Sequence, residues 1–393
     1  MPEAERVQNI FSAQAKDFSS DNFSICRITL TNFRNYCALR LSLDRRPVVL
    51  TGPNGSGKTN FLEAISLLVP GRGLRHGALS DLQNRGTNDP WAVAIDLQTP
   101  DGPLSIGTGR DNAVNDSDGE RRLVHVDGKP TRSQALLAEH IAMAWITPDM
   151  DRLLSEGASA RRKFLDRLAC SFDPAHGGRV LAYEKALRER LRLLRENTND
   201  AAWLSALENE MAQAAVALAA TRRHMIDRLC AAICIGGGSF PRPDVAVRGT
   251  AEDLLDDKPA LLVEDALRDA FRRTRSDDAL RGICTIGAHR SDLKVIHQRK
   301  NCPAEICSTG EQKALMIALM LAYVRLLAEE RRMPPLFLLD DIVAHLDDER
   351  RNDLFDEALS LGSQVWFTGT DNSSFAPLAQ KAQRFWIENG SVV

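Results

Sequence analysis

No apolar stretch in this chain approaches the roughly 18 residues a membrane-spanning helix requires. The longest candidate, Ala314 to Val324, stops at Arg325. The sequence therefore predicts no membrane partner. No secretory leader is expected either: the first two dozen residues carry charges where a signal peptide places its apolar segment, so a cytoplasmic protein with a loose polar tail over residues 1–23 is expected. None of the eight cysteines forms a C-x-x-C pair, which argues against a zinc or thioredoxin-like site and for buried thiols. Charge of one sign is not in excess, since 50 Lys+Arg face 53 Asp+Glu for a net −3, so any attraction to polyanions must come from a local patch. Aromatics are only 6%, which disfavours stacking on single-stranded bases. Internal repeats and low-complexity tracts are absent.

What remains is an ordinary globular composition, 44% hydrophobic and 26% charged, in 393 residues, enough for two packed units. From Ile25 the sequence ICRITLTNFRNY partly alternates, and the run VVL follows Asp44-Arg45-Arg46-Pro47; two strands are expected. Phe61, Ile65 and Leu68 share a helical face over residues 60–69, ended by Pro70-Gly71. WAVAIDLQ (91–98), PLSIGTG and RLVHV predict an antiparallel sheet. After Pro148 helical spacing takes over. Leu187, Leu191 and Leu194 form one stripe and Trp203, Leu207, Met211 and Leu218 another, an antiparallel hairpin broken at Asn197-Thr198-Asn199-Asp200. The last third reads as helix (309–330), strand (336–340), helix (349–360) and strand (364–368), the order of a parallel α/β sheet.

Between the VVL strand and its helix lies Gly52-Pro53-Asn54-Gly55-Ser56-Gly57-Lys58-Thr59, which satisfies G-x-x-x-x-G-K-[ST]. Glycines let such a loop turn its N–H groups inward onto phosphate oxygens, and the helix that follows adds its positive end. These residues with Asn60 are the candidate ATP site; Lys58 reaches the β- and γ-phosphates and Thr59 ligates Mg²⁺. The strand LFLLDD ends in two acids. Asp340 is the candidate magnesium-coordinating carboxylate, and Asp341 either orients or deprotonates the attacking water, with Lys58 as its catalytic partner, or caps a turn. Ser308-Thr309-Gly310-Glu311-Gln312 precedes an apolar helix with the S-x-x-E spacing of a capping box. It also resembles the signature motif of the ATP-binding-cassette (ABC) superfamily, in which the helix start of one subunit closes on the γ-phosphate held by another.

The order P-loop, helical insertion, signature motif, LFLLDD and Ala344-His345-Leu346-Asp347 resembles SMC-like ATPases, but the insertion is too short for their coiled-coil arms. The chain is most similar to the RecF family. The resemblance is carried by Asn32-Phe33-Arg34-Asn35-Tyr36, by Pro148-Asp149 through Arg161-Arg162-Lys163-Phe164-Leu165-Asp166, by Gly287-Ala288-His289-Arg290-Ser291-Asp292-Leu293 and by the run from Ala344 to Leu354. It implies an α/β fold: an ABC-type P-loop head, a mixed sheet plus an antiparallel β subdomain, over 24–150 and 282–393, with a helical second lobe over 151–281. It further implies a weak, DNA-stimulated ATPase that dimerises on ATP, binds duplex DNA beside single-stranded gaps and assists RecO and RecR in loading RecA. Asp347 takes the place of the D-loop acid at the dimer seam, or merely starts a helix. Where related cassettes place a histidine after the next strand, this chain has QVWFTGTD, so Thr368 or Thr370 would substitute; Gln83 and Gln98 are the candidates for the magnesium-sensing glutamine.

From Arg179 to Arg195 six cations face two acids. Arg188, Arg192 and Arg195 are the candidate contacts to DNA phosphates, a solvated helix face being the plainer reading. Two other functions stay open at this point. A transporter's nucleotide-binding subunit would use all the ATP motifs but not the helical insertion, and a small-molecule P-loop kinase would leave the Ser308 motif unused.

Overall fold

Four apolar runs with no polar alternation can only be strands covered on both faces. In the computed structural model, which describes residues 23–75, 77–110, 122–131, 133–196, 200–236 and 238–393 (for His345 the backbone only), they form four consecutive strands of a six-stranded sheet. Its order is Ser391–Val392, Gln383–Glu388, Val48–Thr51, Val365–Gly369, Leu336–Leu339 and Met143–Ile146, parallel throughout except for the final antiparallel pair of residues 383–388 with 391–392. Val48, Val49, Leu50, Leu336–Leu339 and Val365–Phe367 are wholly buried, and the P-loop helix Lys58–Ser66 lays Phe61 on Trp366 with ring centroids 5.8 Å apart. The second sheet is antiparallel, in the order Tyr36–Ser42, Ser24–Phe33, Ala92–Thr99, Gly102–Arg110, Arg122–Val126, Lys129–Pro130. Both sheets belong to one compact unit, residues 1–148 and 327–393.

The second unit, residues 149–326, is mainly helical. Helices His176–Arg195 and Ala201–Ile235 form the expected hairpin, with Arg190 and Glu208, nearly equidistant from the turn, bonded at 3.0 Å. Helices Thr250–Asp257, Ala260–Arg273 and Arg275–Arg281 close over it, burying Val263, Leu267 and Phe271 with Met211, Ala215 and Leu218. The hairpin differs in detail from the expected stripes. Its buried line is Tyr183, Ala186, Arg190 and Leu193, with Leu187 and Leu191 only partly buried, and Trp203 stands 44% exposed.

The unit boundary also differs from the expected return to the head at residue 282. Strand Asp292–His297 pairs with Pro243–Arg248 on one side and Cys302–Pro303 on the other, so the chain stays in the second unit until Leu326. The helix Thr309–Arg331 then carries it back into the first. The expected tail apart from Phe23 and the Asn197-Thr198-Asn199 break lie outside the described residues.

Candidate nucleotide-binding site

Parallel sheets place their functional residues at the carboxyl ends of adjacent strands. Here Val48–Thr51 runs directly into the P-loop, and register brings the other groups beside it: Leu50 pairs with Thr368, and Phe367 with Leu339, so Asp340 follows next to Thr368. Gly52, Gly55 and Gly57 have φ of 151°, 78° and 116°. At Gly52 a Cβ would lie 2.1 Å from the carbonyl oxygen of Ile387, and at Gly57 2.5 Å from the Asn35 amide. The loop thus needs glycine both for its turn and for its neighbours. Lys58 is buried, and its Nζ donates to the carbonyls of Gly52 and Pro53, each at 2.8 Å; burial lowers its pKa, opposed by Asp341 and Asp340.

Asp340 Oδ1 accepts from Thr59 Oγ1 at 3.0 Å and from Thr368 Oγ1 at 2.7 Å. Burial raises its pKa; the two hydroxyls oppose the rise and neighbouring Asp341 adds to it. Asp341 has a left-handed backbone (φ 49°) and donates its N–H to the same Thr368 Oγ1 at 2.8 Å. Thr368 is therefore the link between the Asp340 carboxylate and the Asp341 backbone, a role the sequence did not disclose, while Thr370 is exposed. Asp341 Oδ1 and Ser56 Oγ are buried without a hydrogen-bond partner. Open loop backbone, a buried ammonium, a hydroxyl bonded to a carboxylate and two orphaned oxygens fit a nucleotide's phosphate chain with a divalent cation. Thr59 and Asp340 are the groups that could hold that cation.

The Asn32–Tyr36 segment packs against this loop. Asn35 Nδ2 donates to Ser56 O at 2.9 Å and Tyr36 OH to Gly57 O at 3.0 Å, while Asn60 Nδ2 donates to Asn35 Oδ1 at 2.8 Å. Arg34 grips the buried Glu63 of the P-loop helix through two bonds, of 2.9 and 2.8 Å. Arg75 Nη1 donates to Asn60 Oδ1 at 2.8 Å, adding a cation that lies outside the P-loop motif. A cavity of about 400 Å³ is lined by Arg34, Asn35, Asn60, Gln83 and Arg85, among others. Gln83 faces it; Gln98 is exposed on the antiparallel sheet.

Within the second unit Ser308, Thr309 and Gly310 are exposed, and a Cβ at Gly310 would meet nothing within 4 Å. Half of the expected capping box forms: the Ser308 N–H donates to Glu311 Oε2 at 3.1 Å, and the carboxylate is held at a pKa of about 2 by Lys300 first and then by Ser308. Gln312 is buried and donates to Cys307 O at 3.0 Å, and buried Lys313 pairs with Asp151 at 3.4 Å, so the helix start is anchored behind an open tip. Asp347, in the first unit, caps the helix Asp348–Ser360 by accepting from the Arg350 N–H at 2.8 Å.

The basic stretch is less free than its composition implies. Arg190 is wholly buried, bonded to Glu208, Asp278 and the Phe271 carbonyl, and is no surface cation. Arg188 is exposed and lies 3.9 Å from Glu184; Arg192 sits between Glu189 and Glu196; Arg195 donates to Gly282 O at 2.6 Å. Arg161 and Arg162 turn inward to Asp292 and to the Ser291 carbonyl. The Arg161–Asp166 and Gly287–Leu293 segments thus hold each other, with Arg222 bridging Asp166 and the Ala288 carbonyl. This is scaffold within the second unit.

Comparison with known proteins agrees with this layout. Residues 24–368 match the RecF/RecN/SMC N terminal domain. The chain is 44% identical over 370 residues to the DNA replication and repair protein RecF of Mesorhizobium japonicum, a match spanning 94% of this chain and 97% of that one. It is 44% identical over 381 residues to the RecF of Brucella suis biovar 1, spanning 95% and 96%. Among solved structures, a RecF–ATPrS structure described as a recombination mediator protein in the RecFOR pathway gives a TM-score of 0.81 at 23% identity, covering 94% of this chain and 98% of the other. An Smc head domain with an extended coiled coil from Pyrococcus furiosus gives 0.52 at 16% identity, covering 94% and 96%. The fold is therefore the expected α/β head of ABC type.

Proposed function

The chain belongs to the RecF family, and on that premise we propose that it is an ATP-binding, ATP-hydrolysing DNA-repair protein that dimerises around nucleotide and holds duplex DNA beside single-stranded gaps. The observation that carries this reading is the convergence of Thr59 and Thr368 on Asp340, with Asp341 tied to the same hydroxyl. Lys58 exchanges its loop carbonyls for phosphate oxygens. Thr59 and Asp340 hold Mg²⁺, which when bound supplies positive charge against the phosphates. Asp341, its backbone fixed and its Oδ1 without a partner, accepts a hydrogen bond from the attacking water and orients it. The open start at Ser308–Gly310 offers backbone N–H groups and a helix end to the γ-phosphate held by a second copy, and Asp347 serves as the D-loop acid by family resemblance.

Cooperation with RecO and RecR in loading RecA, and work in the cytoplasm, follow from the family reading. The family match over 94% of the chain disfavours a transporter subunit, and no described helix is long and apolar enough to cross a membrane. The direct test is sedimentation of the full chain alone, with ATP and Mg²⁺, and with duplex DNA added. A monomer that becomes a dimer with nucleotide and co-sediments with duplex is expected. A chain that binds nucleotide yet stays monomeric would refute the sandwich mechanism.

A further inference from the structure

Just before the signature helix the structure brings two sulfurs together. Cys302 lies in the short strand Cys302–Pro303, Cys307 immediately precedes Ser308, and their Sγ atoms are 3.3 Å apart. A disulfide needs about 2.05 Å, so closing the pair takes a movement of about 1.3 Å. The two ends differ in their freedom to make it. Cys307 is buried, and its carbonyl is held by Gln312 Nε2 at 3.0 Å. Cys302 is half-exposed, follows exposed Asn301 with its left-handed φ of 48°, and pairs only through the last two positions of strand Asp292–His297.

We propose that Cys302 and Cys307 are a peroxide-oxidisable pair whose reversible disulfide restrains the start of the signature helix. In the first step the Cys302 thiolate attacks one oxygen of a hydroperoxide; the O–O bond breaks, and the departing oxygen leaves as water or alcohol, giving a sulfenic acid. In the second the Cys307 sulfur attacks Cys302 Sγ, the S–O bond breaks, and the hydroxide leaves as water with the Cys307 proton. Two thiols lose two electrons and the peroxide gains them. A dithiol reductant reverses the change.

The order of the two sulfurs follows from their surroundings. Burial, with the Cys302 hydrogen bond second, pushes the Cys307 thiol up to about 11, so at neutral pH it is not the thiolate that meets peroxide first; its place 3.3 Å from Cys302 Sγ makes it the resolving group, which gives up its proton as it attacks. Cys302 is the less buried of the two residues. The consequence is local to the motif: the bond would close a six-residue ring whose last member is the residue before Ser308, and the ring would tie the helix start to the small sheet of the second unit. Lys300–Glu311 and Gln312–Cys307 already hold the same corner non-covalently.

The chemistry is readable in one peptide, because trypsin cuts after Lys300 and Lys313 and leaves both cysteines in residues 301–313. Full-length protein without nucleotide is treated with hydrogen peroxide, quenched with an alkylating agent and digested. The expected product is this peptide lighter by two hydrogens and unalkylated, formed at least ten-fold faster than any disulfide involving the other six cysteines and absent in Cys302→Ser and Cys307→Ser. Hydrogen exchange before and after oxidation should show amides 308–312 slowed several-fold and restored by dithiothreitol, with the two serine variants unresponsive. A pair that remains alkylatable while other cysteines oxidise would overturn the site. A disulfide that forms without changing exchange at 308–312 would overturn the restraint.

Discussion

Replacing Thr368 by valine keeps shape and volume but deletes the hydroxyl that ties the Asp340 carboxylate to the Asp341 backbone. Two bonds go: the 2.7 Å donation to Asp340 Oδ1 and the 2.8 Å acceptance from the Asp341 N–H. A hydrogen bond to a charged group contributes about 1.5–3 kcal/mol, and an orphaned buried donor costs about 1–3 kcal/mol. The two losses share one site and do not add fully, so Thr368→Val should destabilise the protein by about 2–4 kcal/mol in urea unfolding followed by fluorescence. Asp340 retains Thr59, and the P-loop is untouched, so nucleotide affinity by equilibrium dialysis should stay within a few-fold of the parent. Hydrolysis should fall on the order of 100-fold, the loss expected when a water-orienting group is displaced by about 1 Å. Thr368→Ser, which restores the oxygen, should recover most of both. If the valine protein hydrolyses ATP at the parent rate while the serine protein offers no advantage, Thr368 does not position the carboxylates and the site has been assembled incorrectly.

The other predictions concern charge and contact. Lys58→Ala removes the side-chain cation of the P-loop, which backbone N–H groups cannot replace, and should cut nucleotide affinity at least ten-fold by calorimetry. Ser308→Arg should leave nucleotide binding by the monomer intact and prevent ATP-dependent association, read by sedimentation, because a bulky cation would fill the open tip. Arg190→Leu leaves Asp278 and part of Glu208 without their buried partner and should cost about 3–5 kcal/mol. Burial raises the Asp278 carboxyl, but bonded Arg190 with Thr274 and Thr285 holds it below the usual value. Its contribution is therefore complete above about pH 4, the unfolded value, and is lost as pH falls further through the depressed folded one. Urea midpoints of parent and Arg190→Leu should accordingly converge in acid; a constant gap would contradict the linkage. Neutralising Arg188, Arg192 and Arg195 together should weaken duplex binding and flatten the slope of log affinity against log salt by at most about 0.9 per lost phosphate contact. Because these side chains are engaged by Glu184, Glu189, Glu196 and the Gly282 carbonyl, an unchanged slope would assign them to the helix surface and move the search for the DNA site elsewhere.

What could be read from the order of residues is what depends on neighbours in the chain. The P-loop is eight consecutive residues whose glycines dictate their own backbone, and its strand and helix follow from the apolar run before it and the spacing after it. The aspartates at the end of LFLLDD, the start of the signature helix and the cap at Asp347 are equally local, and each stands within a residue of its expected place. Thr368 was legible only as one of two stand-ins for a histidine, because its task depends on strand register between segments 28 residues apart. Arg190 is one of the six cations between Arg179 and Arg195, yet its spacing with Tyr183, Ala186 and Leu193 puts it on the buried face; composition hid what periodicity already held. The boundary at Leu326 rather than near residue 282 rests on the pairing of Asp292–His297 with Pro243–Arg248, and the sulfur contact before Ser308 rests on a turn that returns Cys307 to Cys302. Local sequence fixes backbone conformations because sterics act between adjacent residues. Partners for buried charges, edges and thiols are chosen only when distant segments meet, since an unpaired buried group is penalised by its surroundings and not by its neighbours in the chain.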